Sequence, residues 1–302
     1  MTNPNDGLPA SIQARLLNLA KATGQEHNRL LGRYALERFL YRLSESRFRE
    51  QFVLKGALMM LVWLGQEARP TRDADLLGYG DLTDDTIVKM FREVCGVEAK
   101  PDGMRYDVDT VEVADIRESD TYGGRRVTFV GFLGNARLHL QVDVGIGDAI
   151  ALEPEWAQIP TLLDQPTARL RAYHPETSVA EKLQIIVAFG MANTRMKDFF
   201  DIAMLAQCHQ FSGERLVAQV HATFKRRNTA VPTEVPDAFT DGFASDRSKQ
   251  TQWTAFLARN RLPQQSLENV TSSISAFAMP IFDAVRDGKA IGTWPPGGPW
   301  QG

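Results

Sequence analysis

Apolar positions recur every three or four residues through the first fifty of the chain, a spacing that predicts two amphipathic helices. Ser11 would cap the first, with Ile12, Leu16, Leu17 and Leu19 on its buried side. The second presents Leu30, Leu31, Tyr34, Ala35, Phe39, Leu40 and Leu43. From Gln51 the texture changes. Phe52-Val53-Leu54 is a short apolar run ending at Lys55-Gly56, Ala57 to Leu64 is helical in character, and Pro70 stops that helix. A brief strand is expected over Asp73 to Leu77 and a helix over Asp84 to Val94. Strands are expected over 104–117 and 125–146, with Tyr122-Gly123-Gly124 as the turn between them. Beyond Pro160 the periodicity is almost entirely helical, with helices near 178–190, 197–208, 213–227, 250–260 and 265–286. Trp294-Pro295-Pro296-Gly297-Gly298-Pro299 holds no repeating pattern and reads as a mobile tail.

Strands and helices interleave without a regular βαβ rhythm. The expectation is an α+β core, a mixed sheet with helices packed on it, flanked by N-terminal helices and followed by a helical half. The expected division is 1–160 for the N-terminal helices and core, 161–290 for the helical domain and 291–302 for a flexible tail.

Composition changes this picture little. With 43% apolar and 24% charged residues over 302 positions, the chain has the make-up of an ordinary globular protein. No apolar run approaches the ~18 residues of a membrane span, and the first six residues lack the regions of a signal peptide. Cys95 and Cys208 cannot build a disulfide framework or a cysteine-rich zinc site. A cytoplasmic protein without membrane association is expected. The net charge of -3 argues against non-specific coating of nucleic acid. It permits a local basic patch, for which Lys225-Arg226-Arg227 is a candidate, although such runs are more often a solvated face.

The candidate chemistry begins at Arg72-Asp73-Ala74-Asp75. Residues two apart in a strand share a face, so Asp73 and Asp75 would project together and repel unless a cation sits between them. A hard divalent ion such as Mg²⁺ resolves that repulsion and bridges phosphates. The alternating segment Leu138 to Val144 buries its leucines and valines and leaves His139, Gln141 and Asp143 on the other face. Asp143 could thereby add a third carboxylate. Lys55-Gly56-Ala57 opens a helix, where free N–H groups suit a phosphate. Ser178-Val179-Ala180-Glu181 fits a capping box, which would put Lys182 in the first turn of its helix as part of an anion site. Asp198 and Asp201, three apart, would be neighbours on one helix face beside Arg195 and Lys197, placed to orient Lys182 or a base. The histidines show no HExxH spacing, no Gly-X-Ser-X-Gly is present, and Gly145-Ile146-Gly147-Asp148 lacks the third glycine of a dinucleotide loop.

Five stretches together resemble the AbiEii/AbiGii toxin family of nucleotidyltransferases, from Ser11 to about Pro280. They are Phe52-Val53-Leu54-Lys55-Gly56-Ala57, Arg69-Pro70-Thr71-Arg72-Asp73-Ala74-Asp75, Val142-Asp143-Val144-Gly145, Ala180-Glu181-Lys182-Leu183 and Arg195-Met196-Lys197-Asp198-Phe199-Phe200-Asp201. The resemblance implies the fold of DNA polymerase β-like nucleotidyltransferases, with NTP as substrate and Mg²⁺ as cofactor. It implies that Lys55 and Gly56 contact phosphate, with Ala57, Arg72 and Lys182 completing the nucleotide-binding set. Asp73 and Asp75 would hold metal, with Asp143 as a third acidic ligand. Lys182 resembles the family's essential lysine, and Asp198 or Asp201 its late essential aspartate. One departure is Gly56-Ala57, where the wider superfamily usually has Gly-Gly or Gly-Ser. The family also implies a toxin of a toxin–antitoxin or phage-defence (abortive infection) system, a cognate antitoxin, and an RNA acceptor such as the tRNA 3′ end. The alternatives are AMPylation-type transfer to a protein hydroxyl and a catalytically idle NTP-binding module.

Overall fold

The computed structural model describes residues 7–71, 73–116, 124–148 and 150–302. The chain divides into two units, one of residues 1–62, 71–147 and 154–172, the other of 63–70, 148–153 and 173–302.

In the first unit, Pro9 lies in the opening turn of α1 (Leu8–Thr23), which Gly7 rather than Ser11 precedes. Proline's fixed φ suits that position, so the helix begins four residues earlier than the serine suggests. Its buried stripe is Ile12, Leu16 and Ala20, while Leu17 is exposed. The apolar stripe predicted for α2 (His27–Glu45) is buried as its spacing requires. Arg42 of α2 donates to both carboxylate oxygens of Asp102 at 2.6 and 3.1 Å, one of the few ways to bury such a charge.

The sheet comprises β1 (Phe52–Lys55), β2 (Ala74–Gly78), β3 (Met104–Asp115), β4 (Gly124–Leu133), β5 (Ala136–Ile146), β6 (Glu155–Gln158) and β7 (Arg169–Ala172). Its order is β3-β4-β5-β2-β1-β7-β6. The β2–β5 and β1–β7 pairs are parallel and the rest antiparallel, so the sheet is mixed and the fold is α+β. The segment 125–146, expected as continuous strand, is a hairpin turned at Gly134, whose φ of +56° suits glycine. Tyr122 and Gly123 of the expected turn lie outside the described residues. Strand β7 falls in a stretch whose pattern reads as helical; it is only four residues long, too short to display a period. Two further helices follow strands, α3 (Ala57–Leu64) after β1 and α4 (Asp84–Cys95) after β2. Thr83 caps α4 by accepting from the amide of Thr86. Phe39, Phe52, Phe91, Tyr106 and Phe129 pack ring against ring, with Phe39 and Phe129 centroids 4.8 Å apart. This cluster joins α2 and α4 to one face of the sheet.

The second unit is mainly helical: α5 (Pro175–Phe189), α6 (Met196–Cys208), α7 (Gly213–Arg226), α8 (Asp241–Ser245), α9 (Arg247–Asn260) and α10 (Leu267–Asp287). Val270, Ile274, Phe277 and Ile281 of α10 form its buried stripe. The segment that reads as a mobile tail is folded against this unit. β8 (Phe211–Ser212) pairs with β9 (Thr293–Trp294). Trp294 meets Phe277 edge to face and Trp300 stacks on it, at 5.0 and 5.7 Å between centroids. Their indole N–H groups donate to the carbonyls of Ala206 and Phe277 at 2.7 and 2.9 Å. Two tryptophans anchor a segment that has no periodicity to reveal them. Among the described residues, no helix is long and apolar enough to cross a membrane.

Candidate active site

The sheet register builds a polar row in the first unit. Lys55 at the end of β1 is the partner of Asp75, Asp75 is the partner of Asp143 on the parallel strand β5, and Asp143 is the partner of Arg126 on β4. Register partners direct their side chains to one face. Lys55, Asp75, Asp143 and Arg126 therefore run across four strands at one level. The alternate residues Ala74, Leu76, Val127, Val142 and Val144 are buried on the opposite face. Two carboxylates directly opposite each other destabilise a sheet, and the flanking lysine and arginine compensate them from either side.

Gly56 sets the position of Asp75. Its φ is +69°, and a Cβ on it would overlap the Asp75 carboxylate, so both the backbone turn and the close approach require glycine. Ala57 is the first residue of α3, and the Met59 amide bonds back to the Gly56 carbonyl at 3.2 Å, so the turn leads into a helix as expected. Asp73 is exposed immediately before β2, and Arg72 lies outside the described residues.

Asp143 is held differently. The Arg126 guanidinium grips it in a fork, Nε to Oδ1 at 2.9 Å and Nη2 to Oδ2 at 2.8 Å, and Gln141 Nε2 adds a bond to Oδ1 at 3.2 Å. Among the described residues, no three His, Cys, Asp or Glu side chains are grouped to hold a metal ion. Both carboxylate oxygens of Asp143, expected as the third acidic ligand beside Asp73 and Asp75, accept from the Arg126 guanidinium in this arrangement. Hard oxygen donors such as the carboxylates of Asp73 and Asp75 suit Mg²⁺.

In the second unit, α5 starts at Pro175 with His174 as its N-cap residue. Lys182 therefore stands two turns inside the helix, not in its first turn, and the anion site shared with a helix end is not formed. Proline again opens the helix three residues ahead of the serine, and the Ser178 hydroxyl is buried without a hydrogen-bond partner. Lys182 instead meets α6, where Asp198 accepts from its Nζ at 2.6 Å and Asp201 lies 2.9 Å from it. Arg195 reaches Asp198 at 2.7 Å, and Arg69 forks onto Asp201 at 2.8 and 3.0 Å. Both aspartates are 1% exposed. Three cations thus surround two buried carboxylates. Burial favours the neutral form of Asp198, but the charges of Lys182 and Arg195 overcome it and hold its pKa well below the carboxylate range. Burial likewise opposes the charge of Lys182, and Asp198 and Asp201 overcome it and raise its pKa. Asn193 orders the approach to α6, its side-chain oxygen accepting from the Arg195 amide at 2.7 Å and its carbonyl from Lys249 Nζ at 2.8 Å.

A sequence profile described as nucleotidyl transferase AbiEii toxin, type IV TA system, matches residues 38–284. The chain belongs to this family. It is accordingly a nucleotidyltransferase, from a family of toxins of type IV toxin–antitoxin systems. JHP933 from Helicobacter pylori is similar in structure, at 15% identity and a TM-score of 0.49 over 87% of this chain and 95% of that one. A second H. pylori structure gives the same identity and TM-score over 99% of its own length. Among curated proteins none matches.

Within this AbiEii-family chain, the residues expected from sequence fall into two clusters. Lys55, Gly56, Ala57, Asp73, Asp75 and Asp143 belong to the first unit, and Lys182, Asp198 and Asp201 to the second. Both late aspartates engage Lys182, so the choice between them does not arise from position. Sequence patterns do not single out Arg126 or Arg69. Arg126 is one of two successive arginines on a strand, and only the register tells which one faces Asp143. Arg69 sits inside a quoted motif, but its partner Asp201 is far along the chain. Of the basic run, Lys225 and Arg226 are exposed while Arg227 turns inward to Gln184 Oε1 at 2.8 Å, so the patch is smaller than its sequence.

Proposed function

We propose that this nucleotidyltransferase moves a nucleotidyl group from an NTP onto an RNA acceptor, the 3′ end of tRNA, in a Mg²⁺-dependent reaction that a cognate antitoxin opposes. The row of Lys55, Asp75, Asp143 and Arg126, with Gly56 fitted against the Asp75 carboxylate, is the observation that carries this reading. Asp73 and Asp75 would hold the ion, which when bound neutralises phosphate charge and aligns the reacting oxygens. The Gly56 turn and the Lys55 amine receive phosphate oxygens. The acceptor hydroxyl forms a bond to the α-phosphorus as the bond to the β-phosphate oxygen breaks. Pyrophosphate leaves and the hydroxyl proton goes out to solvent. Asp198 and Asp201 fix the Lys182 ammonium, each taking one of its N–H groups. Positioning and fixed charge supply most of the rate enhancement.

The test is transfer of label from each α-³²P-NTP, with Mg²⁺, into purified tRNA and into lysate protein. Label in tRNA, lost in both Asp75→Asn and Lys182→Ala, is the expected result. Label in protein alone would refute the RNA acceptor, and transfer that survives Asp75→Asn would refute the site.

A further inference from the structure

We propose that Arg126 is an exchangeable counter-cation of the transfer site, holding Asp143 in the absence of nucleotide and passing its fork to the triphosphate when nucleotide and metal enter. The inference rests on the metal and NTP roles proposed above and adds a positioning residue to them.

Geometry supplies the first argument. Asp143 and Asp75 are direct partners on adjacent parallel strands, about 4.8 Å apart by the spacing of any sheet. At that separation two carboxylates need positive charge between or beside them. In this state the charge beside Asp143 is a guanidinium, and its two bonds plus that of Gln141 occupy both carboxylate oxygens. A divalent ion would need the same oxygens at roughly 2.0–2.1 Å and would be repelled by the arginine beside it. Guanidinium and metal therefore compete for Asp143.

Exposure supplies the second. The side chains of Arg126 and Asp143 are 37% and 19% accessible, so water can replace the fork as it opens. The second unit shows the contrast, since Asp198 at 1% could not lose Lys182 without stranding a buried charge. The third argument is chemical. A guanidinium fork pairs with phosphate oxygens by the same two parallel bonds it makes to a carboxylate. When a metal–triphosphate complex arrives, Arg126 can trade a carboxylate for a phosphate while the metal takes the carboxylate, and every charge stays compensated through the exchange.

The experiment uses the full chain and two probes, Mn²⁺ alone followed by electron paramagnetic resonance, and inorganic triphosphate alone followed by calorimetry in EDTA. In Arg126→Gln, Mn²⁺ should bind about tenfold tighter and triphosphate about tenfold weaker. A merely structural arginine would weaken both or neither, and either pattern overturns the proposal. Asp143→Asn gives an independent check should Arg126→Gln fail to fold. Relieved of its carboxylate, Arg126 should then bind triphosphate more tightly than in the wild type; unchanged or weaker binding overturns the exchange. Wild-type protein that binds neither probe would refute the underlying metal and NTP roles, a different result from normal wild-type binding that the variants leave unmoved.

Discussion

The two charged clusters are built on opposite principles. In the first unit, four side chains from four strands meet because the sheet register puts them level, and they remain in reach of water. In the second, carboxylates one turn apart on α6 are sealed inside and hold a lysine and two arginines around them. The first arrangement can trade partners, and the second cannot. A charge that must exchange ligands during a reaction is kept at partial exposure, where separation costs little. A charge that must only stay in place can be buried, because burial makes its release expensive.

The comparison breaks most readily at Asp198. Asp198→Ala leaves Lys182 and Arg195 facing an empty pocket and should cost about 3–5 kcal/mol in urea unfolding. Asp143→Asn removes a partly exposed partner and should cost under about 1 kcal/mol by the same assay. Similar losses in the two variants would erase the distinction.

Gly56→Ala tests whether the register alone is sufficient for the first cluster. An alanine at φ +69° is strained by about 1–2 kcal/mol, and its methyl would push the Asp75 carboxylate aside. Transfer activity should drop by about a hundredfold, as for a 1 Å misplacement of a reacting group, with a stability loss well below that of Asp198→Ala. Full activity would mean that Asp75 need not stand where Gly56 lets it stand.

The mildest discriminator is pH. Asp198 is depressed, so its stabilisation is present above the unfolded carboxylate value near pH 3.9 and is lost as pH falls from there through its lower folded value. Lys182 is raised, so its contribution is complete below the unfolded value near pH 10.4 and is lost as pH rises through its higher folded value. Thermal midpoints of wild type should therefore hold their contribution from this network across neutral pH. Asp198→Ala should flatten the acid limb of the profile, and an acid limb of unchanged slope would assign acid lability elsewhere.

Much of this organisation is legible in the amino-acid sequence. Asp73 and Asp75 stand out as an Asp-X-Asp pair, and Asp143 stands out because alternation in β5 separates polar from apolar residues, the same alternation that the sheet buries. Asp198 and Asp201 are legible as helix neighbours for an equally local reason. The misleading signals are also local. At α1 and α5 a serine with cap-like spacing competes with a proline two or three residues before it, and the proline wins, which moves Lys182 away from the start of its helix. What stays hidden depends on pairing between distant segments. Arg126 faces Asp143 only through the β4–β5 register, Arg69 meets Asp201 across 132 positions, and Trp294 and Trp300 find Phe277 only once the chain has turned back.

The register itself has one more effect. Because β2 runs Ala74, Asp75, Leu76, Leu77, a slip of a single residue against β1 or β5 would swap the aspartate for an alanine or leucine at the level of Lys55 and Asp143, and would drive its carboxylate among the phenylalanines. Misalignment therefore abolishes the acid pair outright instead of dulling it. Under the site proposed above, copies with a misaligned sheet would carry no partial activity, and transfer would begin only once the register is complete.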